Sequence, residues 1–193
     1  MPRIDNNKFY TSAMELHGVS AKGVNWNSSD SQDLRFKIIL DLLPQNLSEF
    51  TLADAGCGFG DFYLYAKREN KLPKEYIAID SIKEMVEITK ERTQTQAILA
   101  DICKDPLPFA SYYICSGAMN TLELFETHLF MQNCYASCEE GFIFNILHGS
   151  KKSKTYNYLT ISIIKTMASE IGVREIKFRE DYMKNDITVG FFR

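Results

Sequence analysis

The chain has 193 residues, 45% of them hydrophobic and 24% charged, which is enough for one domain with a full hydrophobic core. Its formal net charge of -3 excludes the overall positive charge with which many nucleic-acid-binding proteins attract their ligand. No apolar run is long enough to span a bilayer, and five cysteines after a polar start without a signal peptide favour reduced thiols in a cytoplasmic protein.

The first thirty residues differ in composition from the rest of the chain. They are rich in Asn, Ser and Gly, and they carry Tyr10 and Trp26, the only tryptophan. We expect residues 1–30 to form an amino-terminal arm that closes as a lid over a site in the following domain, residues 31–193. The alternative is a tail that one aromatic side chain anchors to the surface.

Apolar residues recur at helix or strand spacing along residues 31–193. Leu34, Ile38 and Leu42 lie on one face of a predicted helix over residues 31–43. The elements predicted after this helix are, in chain order, a strand from Thr51, a helix from Asp61, a strand over 76–80, a helix over 81–92, strands over 96–100 and 111–116, a helix over 122–138, a strand over 141–147, a helix over 155–171, and strands over 173–179 and 186–192.

The alternation of strands and helices favours an α/β fold with a doubly wound, mostly parallel sheet of seven strands. In such a sheet the ligand binds at the carboxyl ends of the strands. Only residues 180–185 separate the last two predicted strands, and a parallel crossover needs a longer connection. We therefore expect the last strand to run antiparallel to its predecessor.

A glycine-rich turn follows the first predicted strand. In the sequence DAGCGFGD, Gly56, Gly58 and Gly60 let the backbone turn sharply and let a ligand approach the main chain. Asp54 ends the strand, and Asp61, a predicted helix cap, stands where a nicotinamide-binding fingerprint has its third glycine. These carboxylates disfavour a pyrophosphate and favour a cationic ligand such as S-adenosylmethionine, which carries a sulfonium and an ammonium group. The alternative is a tight turn without a ligand.

Two further predicted strands also end in a carboxylate. Asp80 lies about twenty residues beyond the glycine-rich turn, the spacing of one βαβ unit, and it could accept both ribose hydroxyls of a nucleoside. Asp101 follows the next strand and precedes apolar Ile102, which could pack against a planar base. Each of these residues could instead be a solvated strand end. However, when Asp54 is counted with them, three successive strands bring a carboxylate to the same edge of the sheet.

Together these residues resemble the successive motifs of the class I S-adenosylmethionine-dependent methyltransferases, over roughly residues 31–193. The resemblance implies a Rossmann-like fold in which the glycine-rich turn and Asp54 hold the methionine part of the cofactor, Asp80 the ribose, and Asp101 with Ile102 the adenine. An antiparallel last strand agrees with the methyltransferase sheet and not with the nicotinamide-binding one. The full predicted cofactor-binding set is Asp54, Gly56, Cys57, Gly58, Gly60, Asp80, Ser81, Asp101, Ile102, Ser116, Trp26 and Arg35.

A looser similarity joins other segments to a group of small bacterial methyltransferases. It is carried by Gly23-Val24-Asn25-Trp26, by Gln32 with Arg35-Phe36, by Ser116-Gly117-Ala118-Met119-Asn120, and by Asp181-Tyr182. The guanidinium of Arg35 is suited to a carboxylate such as that of methionine, although a solvated helix face is the alternative for Gln32 and Arg35.

Methyl transfer from a sulfonium needs alignment and exclusion of water more than acid-base chemistry. The segment that ends in Asn120 lacks the Asp/Asn-Pro-Pro-aromatic sequence of methyltransferases that act on base amino groups, so base N-methylation is not favoured. Asn120 could orient an acceptor or cap the next helix. His148, at the end of the fifth predicted strand, could be a general base or a structural loop residue. Cys134 and Cys138 lack a partner pair at metal spacing, so no metal site is predicted.

The sequence thus predicts an S-adenosylmethionine-dependent methyltransferase with a small or medium-sized acceptor and S-adenosylhomocysteine as product. One alternative is an RNA or protein methyltransferase, for which the basic run Lys151, Lys152 and Lys154 is the main support. Another is a non-catalytic S-adenosylmethionine-binding protein. We expect a small-molecule partner, no membrane association, and no strong preference for nucleic acid.

Overall fold

The computed structural model describes residues 5–24, 26 and 28–193. Asn25 belongs to the segment Gly23-Val24-Asn25-Trp26 that carries the looser similarity to small bacterial methyltransferases, and it lies outside the described residues. The first four residues of the arm also lie outside them. The strands are β1 (Thr51–Ala55), β2 (Glu75–Asp80), β3 (Gln96–Leu99), β4 (Ala110–Ser116), β5 (Cys138–Leu147), β6 (Glu175–Arg179) and β7 (Asp186–Phe192). The α-helices are α1 (Asn6–His17), α2 (Ser29–Leu42), α3 (Asp61–Arg68), α4 (Lys83–Thr93), α5 (Leu124–Ala136) and α6 (Ile161–Ile171), with short 3₁₀ helices at Ala21–Val24 and Ala118–Thr121.

Within the described residues the strands form one sheet of seven in the order β3-β2-β1-β4-β5-β7-β6. The first five strands pair in parallel, and β7 inserts between β5 and β6 antiparallel to both. This confirms the predicted doubly wound sheet with an antiparallel last strand. The strand order reverses between β1 and β4, so a crevice for a ligand opens at their carboxyl ends.

Both faces of the sheet are buried under helices. Successive residues of a strand point to opposite faces, so Tyr113 and Phe142 join the core under α5 and α6, while Ile114 and Ile143 join Phe36 of α2 on the other face. A sheet that is covered on both faces needs apolar side chains at nearly every position, which explains the long apolar runs of the central strands.

The amino-terminal arm contains a helix that the sequence analysis did not predict. Asp5 caps α1, because its carboxylate accepts a hydrogen bond from the backbone N–H of Lys8 at 3.0 Å. Tyr10 and Met14 of α1 pack against a small core cluster that contains Phe59 of the glycine-rich turn. The arm therefore lies against the carboxyl edge of the sheet.

Three of the predicted helix starts lie two residues from the observed ones, and the start of the helix predicted from residue 155 was wrong by six residues. The helix predicted from residue 155 begins at Ile161, because the Thr160 hydroxyl accepts from the N–H of Ile163 at 3.3 Å and caps it. The helix predicted from residue 31 begins at Ser29, with Ser28 as its cap. Within the described residues, no helix combines the length and the apolar composition that crossing a bilayer requires.

Candidate functional site

A deep cleft opens at the carboxyl ends of β1, β2 and β4. Its empty volume is about 1150 Å³ when the open solvent at its mouth is included. The sheet edge contributes the strand ends and the loops that follow them, and the arm contributes Tyr10, Val24 and Trp26. Of the predicted cofactor-binding residues, those that line the cleft are Asp54, Gly56, Cys57, Gly58, Asp80, Ser81, Asp101, Ile102, Ser116 and Trp26.

The glycine-rich turn wraps around the end of β2. The backbone N–H of Gly56 donates to the carbonyl of Ile79 at 2.8 Å, and the N–H of Gly58 donates to Oδ2 of Asp80 at 3.0 Å. Gly56 has a positive φ of 79°, and a Cβ there would lie 2.3 Å from the Cβ of Ala118. Only glycine meets both conditions at this position.

Asp80 connects the turn to the cleft. Its second carboxylate oxygen, Oδ1, accepts from the N–H of Ile82 at 3.0 Å. Burial raises the pKa of Asp80 to about 6, against the opposing effect of hydrogen bonds from the backbone of Gly58, Ile82 and Ser81. The side chain lines the cleft while it is held on its protein side, as the ribose-binding role requires.

Asp54 lies deeper, at the end of β1, and is only 2% exposed. The hydroxyl of Tyr76 donates to its Oδ2 at 2.5 Å. Burial raises the pKa of Asp54 to about 7, and the charges of Asp80 and Asp61 raise it further, against the hydrogen bond from Tyr76. The tyrosine was not singled out by sequence, since nothing in its local pattern distinguishes it from a core residue of β2.

The prediction that Asp61 caps the helix was wrong. The N-cap of α3 is Gly60, which has the left-handed conformation and no side chain with which to cap the helix. Asp61 is the first helical residue, and its carboxylate accepts from Nη1 of Arg92 at 2.8 Å and from Nε2 of Gln32 at 3.3 Å. The carboxylate is thus directed toward neighbouring helices, where an arginine partner is available.

The charge in the cleft is negative. Four carboxylates line it, and no Lys, Arg or His is among the lining residues that the structure describes. Asp61 pairs with Arg92, and Asp101 pairs with Lys104 at 2.6 Å. In the described part of the chain, Asp54 and Asp80 have no such cationic partner, so a ligand with positive charge fits beside them and a pyrophosphate does not.

The loop after β3 forms one end of the cleft. Ile102 is buried and presents an apolar surface to it. Asp101 accepts from the backbone N–H of Cys103 at 3.0 Å, which turns the chain directly after the strand. At the other end, the hydroxyl of Ser116 donates to Oδ1 of Asn145 at 3.4 Å.

Trp26 and Arg35 form a stacked pair, but only Trp26 lines the cleft. The guanidinium carbon of Arg35 lies 4.4 Å from the centroid of the Trp26 ring. Nε of Arg35 donates to Asp186 at 2.8 Å, and Nη1 donates to the carbonyl of Ser31 at 3.0 Å. The ring also contacts Gly117, where a Cβ would come within 2.5 Å of it. Arg35 therefore supports Trp26 from behind, and the structure does not place its guanidinium in the cleft as the sequence analysis expected.

Asn120 lines the cleft and is held firmly. Its Oδ1 accepts from the backbone N–H of Leu147 at 2.9 Å. Because that backbone group can only donate, the contact also fixes the orientation of the amide and leaves Nδ2 as a donor near Gly117. Asn120 does not cap α5, since Glu123 does so in a capping box with Glu126.

His148 is not among the described residues that line the cleft. Its Nδ1 lies 2.8 Å from the carbonyl oxygen of Leu159, and its Nε2 lies 3.7 Å from a carboxylate oxygen of Glu180. His148 and Leu159 also form a parallel β-bridge, so the histidine supports the loop over residues 150–158. The geometry does not provide the general base that the sequence analysis considered.

Several lining residues were missed from sequence, among them Phe9, Met85 and Tyr156. Tyr156 was assigned to a helix. Its loop is instead brought to the cleft by contacts distant in sequence, namely the bridge at Leu159 and the hydrogen bond from the N–H of Asn157 to the carbonyl of Asn120 at 2.7 Å. Phe9 belongs to α1, which was not predicted. All five cysteines are unpaired, and within the described residues no cluster of His, Cys, Asp or Glu is suited to a metal ion.

Comparison with known proteins relates residues 53–144 to a methyltransferase domain family. Among curated proteins, no sequence matches significantly. Magnesium protoporphyrin IX methyltransferase from Synechocystis, solved with bound S-adenosylhomocysteine, is 11% identical, with a TM-score of 0.74 over 97% of this chain and 98% of that chain.

Two further solved structures have a similar fold. A methyltransferase from Leishmania major is 16% identical, with a TM-score of 0.72 over 96% of this chain and 83% of that chain. Human N-acetylserotonin methyltransferase in complex with S-adenosylmethionine is 17% identical, with a TM-score of 0.66 over 94% of this chain and 62% of that chain. At these identities the likeness concerns the fold.

Proposed function

With a methyltransferase domain over residues 53–144 on a class I methyltransferase fold, the chain is an S-adenosylmethionine-dependent methyltransferase, and we propose that it methylates a small or medium-sized acceptor. The observation that carries the proposal is the negative cleft at the carboxyl edge of the sheet, whose glycine-rich turn is tied to Asp80. Two of the similar structures are named for small molecules, magnesium protoporphyrin IX and N-acetylserotonin.

The residues of the cleft fit the parts of this cofactor. When bound, S-adenosylmethionine supplies a methyl group on a positively charged sulfur. We assign the ribose to Asp80 and Ser81, because the carboxylate of Asp80 is buried, fixed by backbone donors and still faces the cleft. Asp54 and the glycine-rich turn would hold the ammonium end, since Asp54 lacks a cationic partner in the described chain, and Ile102 would pack on the adenine.

The residues around the acceptor are suited to alignment and to exclusion of water. Asn120 is fixed through its carbonyl oxygen and keeps amide donors for a polar group of the acceptor. Tyr10 and Trp26 of the arm line the cleft and would help to exclude water from it. Burial raises the pKa of Tyr10 to about 12, so its phenol stays protonated and is a donor, not a base.

An RNA acceptor is less favoured than a small molecule. A nucleic acid is held mainly through its phosphates, and the described cleft wall offers carboxylates without lysine or arginine. We further propose that the protein acts in the cytoplasm, where its five unpaired cysteines would stay reduced.

Calorimetric titration tests the cofactor assignment. We expect S-adenosylmethionine and S-adenosylhomocysteine to bind and NAD to give no heat, because the pyrophosphate of NAD would meet Asp54 and Asp80. Tight binding of NAD without a response to either methionine derivative would overturn the assignment.

A second experiment separates the acceptor classes. The protein is incubated with S-adenosylmethionine labelled on its methyl group and with the small-molecule, RNA or protein fraction of a cell extract. We expect label in the small-molecule fraction. Label in RNA or protein alone would show that the acceptor is a macromolecule, and cofactor binding without transfer to any fraction would support a non-catalytic role.

A further inference from the structure

A second groove lies beside the cleft and is called the side groove here. It is bounded by the first turn of α5, by the loop over residues 150–158 and by α6. Thr121, Leu122 and Tyr156 line both the cleft and the side groove. The two spaces therefore adjoin at these three residues.

The side groove has an exposed apolar surface. Leu124 is 51% exposed, Phe125 is 71% exposed and Tyr156 is 38% exposed, and all three line it. Single exposed apolar side chains are common on protein surfaces, but several around one concave space are typical of a ligand site. This surface favours the apolar body of a ligand.

The side groove also carries positive charge, in contrast to the cleft. Lys151, Lys152 and Lys154, the groove lysines, are exposed and line it. Over the part of the chain that the structure describes, no carboxylate lies within ion-pair distance of these three ammonium groups. Two carboxylates also line the groove: Glu170 lies 3.4 Å from Nδ1 of His128, and the side chain of Glu123 caps α5.

We propose that the methyl acceptor is an amphipathic acid that spans both spaces. Its apolar body would lie against Leu124 and Phe125, its carboxylate or other anionic group would lie near the groove lysines, and its reacting end would pass Tyr156 into the cleft. The anionic group stays in the side groove because Asp54 and Asp80 repel it from the cleft. This inference rests on the proposed function, and it adds the chemical class of the acceptor.

The test uses a matched pair of probes, dansylaminoundecanoic acid and its methyl ester, which differ in one negative charge. Dansyl emission reports binding to apolar surface. We expect the acid to bind about tenfold more tightly than the ester at low salt, and the preference to shrink in high salt because the lysines are exposed. A saturating amount of S-adenosylhomocysteine should not displace the acid, since the two ligands would occupy different spaces.

Two sets of variants locate the binding. Replacement of all three groove lysines by Gln should weaken the acid about tenfold and leave the ester unchanged. The matched control replaces three exposed lysines on other parts of the surface by Gln, namely Lys67, Lys74 and Lys90. Phe125→Ala should weaken both probes, whereas Phe109→Ala, at a position 77% exposed outside the groove, should weaken neither.

Calorimetry with S-adenosylhomocysteine on the same samples keeps the two proposals separate. If the cofactor product binds but the acid has no advantage over the ester, or the groove-lysine variant binds the acid normally, the acceptor class is wrong and the proposed function stands. Displacement of the acid by S-adenosylhomocysteine would also overturn the inference, because the side groove would then be part of the cofactor site. If the cofactor product itself does not bind, the proposed function fails.

Discussion

At the scale of single residues, Asp80 combines two tasks. Its carboxylate accepts hydrogen bonds from the backbone of Gly58 and Ile82, and it faces the cleft where we place the ribose. Asp80→Asn keeps one acceptor oxygen but removes the charge. We expect this change to weaken binding of S-adenosylhomocysteine by about 1.5–3 kcal/mol, the range for hydrogen bonds to charged groups.

Calorimetry on Asp80→Asn measures the loss, and Asp41→Asn, in an exposed ion pair on α2, is the control that should bind normally. Thermal melting separates the two tasks of Asp80. A lower affinity with an unchanged melting temperature would support the ligand role, while unchanged affinity would reduce Asp80 to a support of the turn.

Asp54 and Asp80 also predict how stability depends on pH. Burial raises their pKa values to about 7 and about 6, above the value of 3.8 of an unperturbed aspartate. Between pH 3.8 and about 7, the ligand-free folded protein therefore keeps protons that the unfolded chain has lost. The contribution of these protonated groups to the free energy of unfolding is therefore lost as the pH rises through that window.

We expect the melting temperature of the ligand-free protein to rise when the pH is lowered from neutral into this window, and Asp54→Asn to reduce the dependence. S-adenosylhomocysteine, with its ammonium group, should favour the ionised carboxylates and also reduce the dependence. Scanning calorimetry over a pH series measures all three. A pH dependence that is the same in the wild type and in Asp54→Asn would contradict the prediction.

At the scale of elements, the ion pair between Arg35 and Asp186 joins α2 to the inserted strand β7. Both side chains are buried, and the hydroxyl of Tyr182 also donates to Asp186 at 2.5 Å. Arg35→Met would leave the carboxylate of Asp186 buried without its partner. We expect a loss of about 3–5 kcal/mol in the free energy of unfolding.

Urea unfolding followed by circular dichroism measures this loss. Adding Asp186→Asn to Arg35→Met should restore part of it, since the uncompensated charge is removed. The exposed pair of Lys37 and Asp41 on the same helix is the control, and Lys37→Met should change stability by less than about 1 kcal/mol. A normal stability of Arg35→Met, together with weak cofactor binding, would instead favour the role that the sequence suggested for Arg35.

The elements that sequence predicted well are those whose local pattern matches their environment. The strands are apolar runs between glycine or polar turns, and the short connection before β7 was enough to give its direction. Asp54 and Asp80 were placed at the cleft for the same reason, because a strand end has a fixed position in a parallel sheet. The surroundings of Arg35 and His148 could not be predicted in this way. Their partners, Asp186 and Leu159, are distant in sequence, and only the folded sheet brings them together. The helix α1 was missed because most of its residues are polar and only a few contact the domain.

At the scale of the whole molecule, the position of the arm supports the predicted lid. Tyr10 and Trp26, from two separate parts of the arm, both line the cleft, while Met14 and Tyr10 pack near Phe59 of the glycine-rich turn. The arm thus contacts the domain at the place where we put the cofactor. A segment held by few contacts opens more readily than the sheet, so a ligand beneath it can stabilise its closed position.

The single tryptophan makes the lid directly testable, because every change in indole emission reports on Trp26. We expect S-adenosylhomocysteine to shift the Trp26 emission and to slow cleavage of the arm by a protease, since a closed arm exposes less backbone. Cleavage in the loop over residues 69–74, which does not line the cleft, is the internal reference. Deletion of residues 1–28 should weaken cofactor binding, while the circular dichroism spectrum of the remaining domain should still be that of a folded protein. If the arm is cut equally fast with and without the cofactor product, and its deletion leaves the affinity intact, the arm is a tail and water must be excluded by the loops around Asn120 and Tyr156 alone.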